Sequence, residues 1–187
     1  MLIVFGGAFN PPTVLHLHIV KKLLSTIEGS QVLILPVGDD YKKPLLIPFH
    51  YRIDMLNLLI KGLKNVSVSS LEGNAKFRGT LASLKELSKT NKDISFAIGA
   101  DNLRSMSTWI RYDELLENYP FIVMTRKNSF SEIEAEKMFE NQKHHFTFIQ
   151  FDESGSSTEV RENKASRKRL LTKRVYRYIV ENHLYEE

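Results

Sequence analysis

The sequence contains no cysteine, which excludes a disulfide framework and any thiolate metal site and fits a reducing compartment. Long apolar runs are missing as well: LLI and FIVM fall far short of the roughly 20 residues that span a bilayer. No basic segment precedes the opening LIVF run, and Gly and Pro follow at once, so no secretory leader is read there and a cytoplasmic protein is expected. Repeats, low-complexity tracts and Gly/Ser linkers are also lacking. What is present is ordinary for a globular chain: 187 residues, 42% hydrophobic and 26% charged. That length suits one domain over 1–187, with a helical C-terminal segment from about 156 to 187.

The net charge is only +4, and much of it sits in RENKASRKRLLTKR, Arg161 to Arg174. A nucleic-acid-binding arm is one reading of that run. No aromatic residues interleave with the basic ones, however, so the platform on which bases stack is missing. The preferred reading is a solvated helix face that also draws in an anionic small molecule.

Short apolar runs recur along the chain: LIVFG (2–6), QVLILPV (31–37), NVSVSS (65–70), DISFAIG (93–99), PFIVMTR (120–126) and HFTFIQF (145–151). Between them, helical spacing covers Val14 to Ile27, Pro48 to Lys61, Thr80 to Lys89, Tyr112 to Glu117 and Ser131 to Glu140, with a closing helix over Thr172 to His183. Such alternation predicts an α/β fold: a Rossmann-like doubly wound parallel sheet of five or six strands with helices on both faces.

In that fold, ligands bind beyond the carboxyl ends of the strands, where strand order reverses. The first strand runs into GGAFNPPTVLH (6–16), with more special residues than a simple turn needs. Gly6 and Gly7 allow backbone to approach an anion, and a helix beginning near Thr13 aims free N–H groups and its positive dipole end at the same place. This outlines a phosphate site. A structural βα turn with packed histidines fits the same residues.

GGAFNPPTVLH resembles the GxFxPxHxGH or GxFDPxTxGH signature of the nucleotidyltransferase superfamily, with Thr13 at its first H/T position and His16 at the closing histidine. GSSTEVREN (155–163) resembles the ISSTxIR signature of the same superfamily. Between them, IGADNLRSMSTWIRYDELL (98–116) is similar to the GADxL…W segment of nicotinate and nicotinamide mononucleotide adenylyltransferases. KKPLLIPFHYRIDML (42–56) resembles their lysine and Arg-x-x-Met-Leu region, and VYRYIVENHLYEE their final helix. Three departures stand out. Leu15 replaces the usual glycine and is expected to narrow the room near the phosphates; Gly155 stands where an apolar residue precedes SST; only Thr80 and Leu81 remain of a Ser-Tyr-Thr approach to the third helix.

The resemblance implies adenylyl transfer from ATP to nicotinate or nicotinamide mononucleotide, with release of pyrophosphate, in NAD biosynthesis. It assigns His16, Thr13 and Arg161 to the transferring phosphate and the leaving pyrophosphate: His16 protonated or donating through one ring nitrogen, Thr13 as a neutral donor, Arg161 as a bidentate grip. It gives Gly6, Gly7, Ala8, Phe9, Gly99, Asp101, Ser156, Ser157 and Thr158 to ATP, and Lys42, Lys43, Thr80, Leu81 and Trp109 to the mononucleotide. No residue spacing suggests a metal cage, so Mg²⁺ is expected on the ATP phosphates. Expected partners are ATP and a pyridine mononucleotide, with neither nucleic acid nor membrane; a homo-oligomer is allowed.

Taken singly, several of these residues keep plainer readings. Asp101 can cap a helix starting at Asn102, Trp109 can fill a core gap, Lys42 and Lys43 can be solvated surface, and His50, His144 and His145 read as surface residues. Three alternatives stay open: a phosphopantetheine adenylyltransferase or cytidylyltransferase, a non-catalytic nucleotide-binding module, and a nucleic-acid-binding protein.

Overall fold

The chain is described from a computed structural model, which covers residues 1–73, 76, 78–126, 130–153 and 155–186. Six strands alternate with helices: β1 (Leu2–Gly7), α1 (Val14–Thr26), β2 (Gln31–Pro36), α2 (Phe49–Ile60), β3 (Val66–Val68), α3 (Thr80–Leu87), β4 (Ile94–Gly99), α4 (Ala100–Arg104), α5 (Tyr112–Asn118), β5 (Phe121–Thr125), α6 (Glu132–Met138) and β6 (Phe146–Gln150). Three more helices follow, α7 (Ser157–Glu162), α8 (Arg167–Leu170) and α9 (Lys173–Glu181). All five strand pairings are parallel, in the order β3-β2-β1-β4-β5-β6. The doubly wound sheet expected from the sequence is therefore observed, with six strands.

Two-residue periodicity divides the core. Ile3 and Phe5 of β1 enter one apolar cluster with Val20, Leu23, Met55, Leu56, Val160, Val175 and Ile179. Val4 enters the other with Leu84, Leu103, Leu115, Leu116 and Phe139. Because helices cover both faces, the central strands are apolar on both sides and read as continuous hydrophobic runs. The last helix closes the first cluster through Val175 and Ile179, and Tyr178 donates its hydroxyl to Asp54 of α2 at 2.7 Å. Among the described residues no helix is long and apolar enough to cross a membrane.

The order of the strands reverses between β1 and β4. Their carboxyl ends therefore part, and a cleft opens there.

Candidate active site

The cleft holds about 430 Å³ and is walled by the ends of β1 (Gly6, Gly7, with Ala8), β2 (Leu35, with Val37) and β4 (Phe96, Ile98). Tyr41 and Lys43 border it on one side, and Glu72, Gly79, Thr80, Asn102, Trp109 and Ile110 on the others. Of the residues expected to meet nucleotide, Gly6, Gly7, Ala8, Lys43, Thr80 and Trp109 line this space.

The two glycines have a packing reason to be glycine. A Cβ on Gly6 would stand 2.6 Å from Cζ of Phe96, and one on Gly7 would stand 3.0 Å from Cζ of Phe9. Gly99, by contrast, faces open space. Phe9 itself is buried, at φ +47, with its ring edge-on to Phe5 at 5.4 Å and to His16 at 5.1 Å. Any part it plays at a nucleotide is through its backbone. The same correction applies to Leu81, whose side chain is 2% exposed within the second apolar cluster because α3 turns that face to the sheet. Leu15 is corrected too: it packs into the first cluster with Phe5, Phe9 and Ile19 and takes no room from the cleft. Gly155 sits at φ +141 with Leu170 only 2.8 Å from where a Cβ would be, which accounts for the missing apolar residue before SST.

His16 is the third residue of α1, and its ring turns back on the helix start. The Thr13 backbone N–H donates to His16 Nδ1 at 2.9 Å, and the Thr13 hydroxyl meets the same nitrogen at 2.9 Å. A nitrogen that accepts a backbone N–H carries no proton, so the ring proton resides on Nε2. Burial, with the charges of Lys43 and Arg126, lowers the His16 pKa to about 4. The ring is therefore a neutral Nε2–H donor, which excludes the protonated form the sequence left open. Thr13 is completely buried with its hydroxyl against that ring; it positions the imidazole instead of presenting a donor beside it.

The second motif reaches the first by hydrogen bonds. Ser156 caps α7 by accepting the Glu159 N–H at 3.0 Å, and Ser157 donates to the Pro11 carbonyl at 2.8 Å. Arg161 donates from Nη1 to the Asn10 carbonyl at 2.6 Å and from Nη2 to the Thr158 hydroxyl at 3.1 Å, with Nε buried. Of the guanidinium expected to grip pyrophosphate, Nη1 thus bonds the β1–α1 loop and Nη2 its own helix. Its charge still acts nearby: together with burial it depresses the ammonium of Lys43. Lys43, which lines the cleft, thus shares its charge environment with Arg161, and with Arg126 it acts on the neutral His16 ring.

Two contributors, Arg126 and Glu72, escaped the sequence reading, and Arg52, the arginine of the Arg-x-x-Met-Leu resemblance, was given no role there. Arg126 directly follows β5, and a basic residue at the carboxyl end of a parallel strand was the available signal. Arg52 is fully buried in α2 and donates to the carbonyls of Ile47, Ala8 and Val37 at 2.9, 3.2 and 2.6 Å and to Asp39 at 3.0 Å. It shares a helix face with Met55, Leu56 and Leu59, and a charge on an apolar stripe announces a paired buried group. Glu72 accepts the Ser83 hydroxyl at 2.6 Å, and burial raises its carboxyl above the usual range.

The remaining expected residues lie away from the cleft wall. Asp101 is exposed near the start of α4, whose N-cap is Gly99, so it does not cap a helix beginning at Asn102. Lys42 and Thr158 are exposed. Trp109 does two things at once, packing edge-on to Phe96 at 6.3 Å while lining the cleft. His144, read as a surface residue, keeps only 12% of its side chain exposed, stacked on Phe146 at 4.4 Å. No group of three or more His, Cys, Asp or Glu among the described residues could hold a metal ion. The cations and N–H donors gathered here suit phosphate oxygens, not a metal.

A model of the cytidylyltransferase-like family matches residues 4–163. A probable nicotinate-nucleotide adenylyltransferase of Acholeplasma laidlawii is 37% identical over 190 residues, spanning 100% of this chain and 98% of that protein. One of Sulfurimonas denitrificans is 32% identical over 187 residues, spanning 98% and 97%. Among solved structures, the Plasmodium falciparum nicotinic acid mononucleotide adenylyltransferase complexed with NaAD superposes with a TM-score of 0.82 over 98% of this chain and 96% of that one, at 19% identity, a likeness of fold. With the second motif hydrogen-bonded to the loop of the first, whose glycines line the cleft at the switch point of the sheet, and these relatives matching end to end, the chain belongs to the cytidylyltransferase-like family, among its nicotinate-nucleotide adenylyltransferases.

Proposed function

We propose that the protein transfers the adenylyl group of ATP to nicotinate mononucleotide, forming the dinucleotide and releasing pyrophosphate. A phosphate oxygen of the mononucleotide attacks the α-phosphorus in line while the bond to the β-phosphate oxygen breaks. The protein forms no covalent intermediate; its task is to place two polyanions and stabilise the charge on the transferring group. The observation that carries this reading is His16, held as a neutral Nε2–H donor beside Lys43 and Arg126, with Arg161 acting on Lys43. In this reading His16 donates to the α-phosphate, and Lys43 and Arg126 hold the triphosphate by charge. Gly6 to Ala8 supply backbone to ATP, with Gly99, Asp101 and the start of α7 on its adenosine and phosphate flanks. Thr80 and Trp109 flank the pyridine ring. Mg²⁺ arrives with ATP as part of that substrate. The chain acts as one nucleotidyltransferase domain in the cytoplasm.

Incubation with Mg-ATP and each of nicotinate mononucleotide, nicotinamide mononucleotide and phosphopantetheine tests this. Pyrophosphate should appear in step with dinucleotide, fastest with nicotinate mononucleotide. ATP binding without product from any acceptor would make the chain a nucleotide-binding module instead.

A further inference from the structure

We infer that Tyr185 is a positioning residue for adenylyl transfer, acting through Asn10 on the two loops that carry the phosphate-facing groups. The inference rests on the proposed function for its catalytic readout. Asn10 and Tyr185 are 175 residues apart, yet the Tyr185 hydroxyl donates to Asn10 Oδ1 at 2.8 Å. Asn10 is 1% exposed. Its Oδ1 also takes the Ile47 N–H at 3.4 Å, its Nδ2 donates to the Leu45 carbonyl at 2.7 Å, and its own carbonyl receives Arg161. One side chain in the β1–α1 loop therefore ties that loop to the segment carrying Lys43, while its backbone is tied to α7.

The chemistry requires an amide at residue 10. The oxygen must accept and the nitrogen must donate; a carboxylate, which the GxFDPxTxGH form of the signature carries here, would set negative charge against the Leu45 carbonyl. The Leu45 bond matters because it pins an exposed turn directly to the β1–α1 loop. Leu45 stands at φ +56, a region disfavoured for L residues, with 77% of its surface exposed. Tyr185 fixes which way the carboxamide faces. Burial keeps its phenol protonated by raising it above the ordinary range, so the hydroxyl remains a donor at any working pH.

The tail is anchored without that hydroxyl. Leu184 is buried and its N–H donates to the Ile179 carbonyl at 3.0 Å, while buried Arg167 donates to the Tyr185 carbonyl at 2.8 Å and the Val160 carbonyl at 3.0 Å. Tyr185→Phe therefore removes one hydrogen bond and leaves the tail in place.

The experiment compares wild type, Tyr185→Phe, Asn10→Ala and the double variant by kcat/KM for Mg-ATP with nicotinate mononucleotide, by ATP affinity from calorimetry and by melting temperature. Tyr185→Phe should lower kcat/KM for ATP and ATP affinity about 5- to 10-fold, as for loss of one hydrogen bond, with KM for the mononucleotide unchanged and the melting temperature down by at most about 4 °C. Asn10→Ala, which removes the acceptor of the Tyr185 hydroxyl together with the Leu45 and Ile47 bonds, should lose more, and the double variant no more than Asn10→Ala alone. Wild-type ATP affinity and kcat/KM in Tyr185→Phe, with or without a lower melting temperature, would overturn the inference, as would losses that multiply. If wild type forms no dinucleotide, the proposed function fails separately, and the ATP affinity of Tyr185→Phe alone then supports or overturns the role of Tyr185.

Discussion

GGAFNPPTVLH and GSSTEVR resemble one superfamily equally well, yet they do different physical work. The first presents an imidazole whose tautomer its own helix start dictates. The second presents hydroxyls and a guanidinium that reach back to the carbonyls of Asn10 and Pro11. In the proposed function the first segment supplies a donor to the transferring phosphate, and the second holds the backbone of the first. Motif recognition does not separate these roles, because both need polar side chains at fixed spacing. Hydrogen-bond direction does.

Breaking the first segment should cost most in rate. His16→Ala should lower kcat about 10²- to 10³-fold, the effect of losing one preorganised donor to the transferring phosphate, measured with Mg-ATP and nicotinate mononucleotide. A loss below about 5-fold would make His16 structural.

Restoring the family glycine at residue 15 sharpens the contrast between core and cleft. Leu15 is 6% exposed in the first cluster, so Leu15→Gly removes buried apolar volume and adds backbone freedom, costing about 3 to 5 kcal/mol. At this chain length that corresponds to a melting temperature lower by about 10 °C. ATP affinity should not improve. Tighter ATP binding in Leu15→Gly would return the side chain to the phosphate site.

The smallest expected effect is a change that does not occur. In the ligand-free protein the His16 ring should remain a neutral Nε2–H tautomer from pH 8 to about 5 by ¹⁵N NMR, since its pKa is lowered from 6.5 to about 4. The linked stability has a definite sign. Folded His16 resists a proton that unfolded His16 takes up, so stability is complete above pH 6.5 and falls as pH drops from 6.5 towards 4. A ring that titrates near 6.5 would remove the argument from the tautomer.

The sheet was legible because six short apolar runs alternate with helical spacing, and burial on both faces makes such runs hard to mistake. The short helices α4, α7 and α8 were harder to read, since four to six residues give little periodicity. Within the site, sequence located the segments better than the side chains. Phe9, Leu15 and Leu81 occupy motif positions but point into the core, and one-dimensional spacing does not say which way a loop residue turns. Arg52, matched only as the arginine of Arg-x-x-Met-Leu, and Asn10, matched only within the first signature, were given no role for the converse reason. Their partners are backbone carbonyls and amides, among them those of Val37, Leu45 and Ile47, and these leave no trace in residue identity.

The division of labour between the two motifs is tested most directly by the melting temperature of ligand-free Arg161→Ala. With the Asn10 carbonyl and the Thr158 hydroxyl both losing a charged donor, about 1 to 3 kcal/mol should go, lowering the melting temperature by about 3 to 10 °C before any nucleotide is added. An unchanged melting temperature, with weakening confined to ATP and pyrophosphate binding, would show that Arg161 serves the phosphates and not the loop.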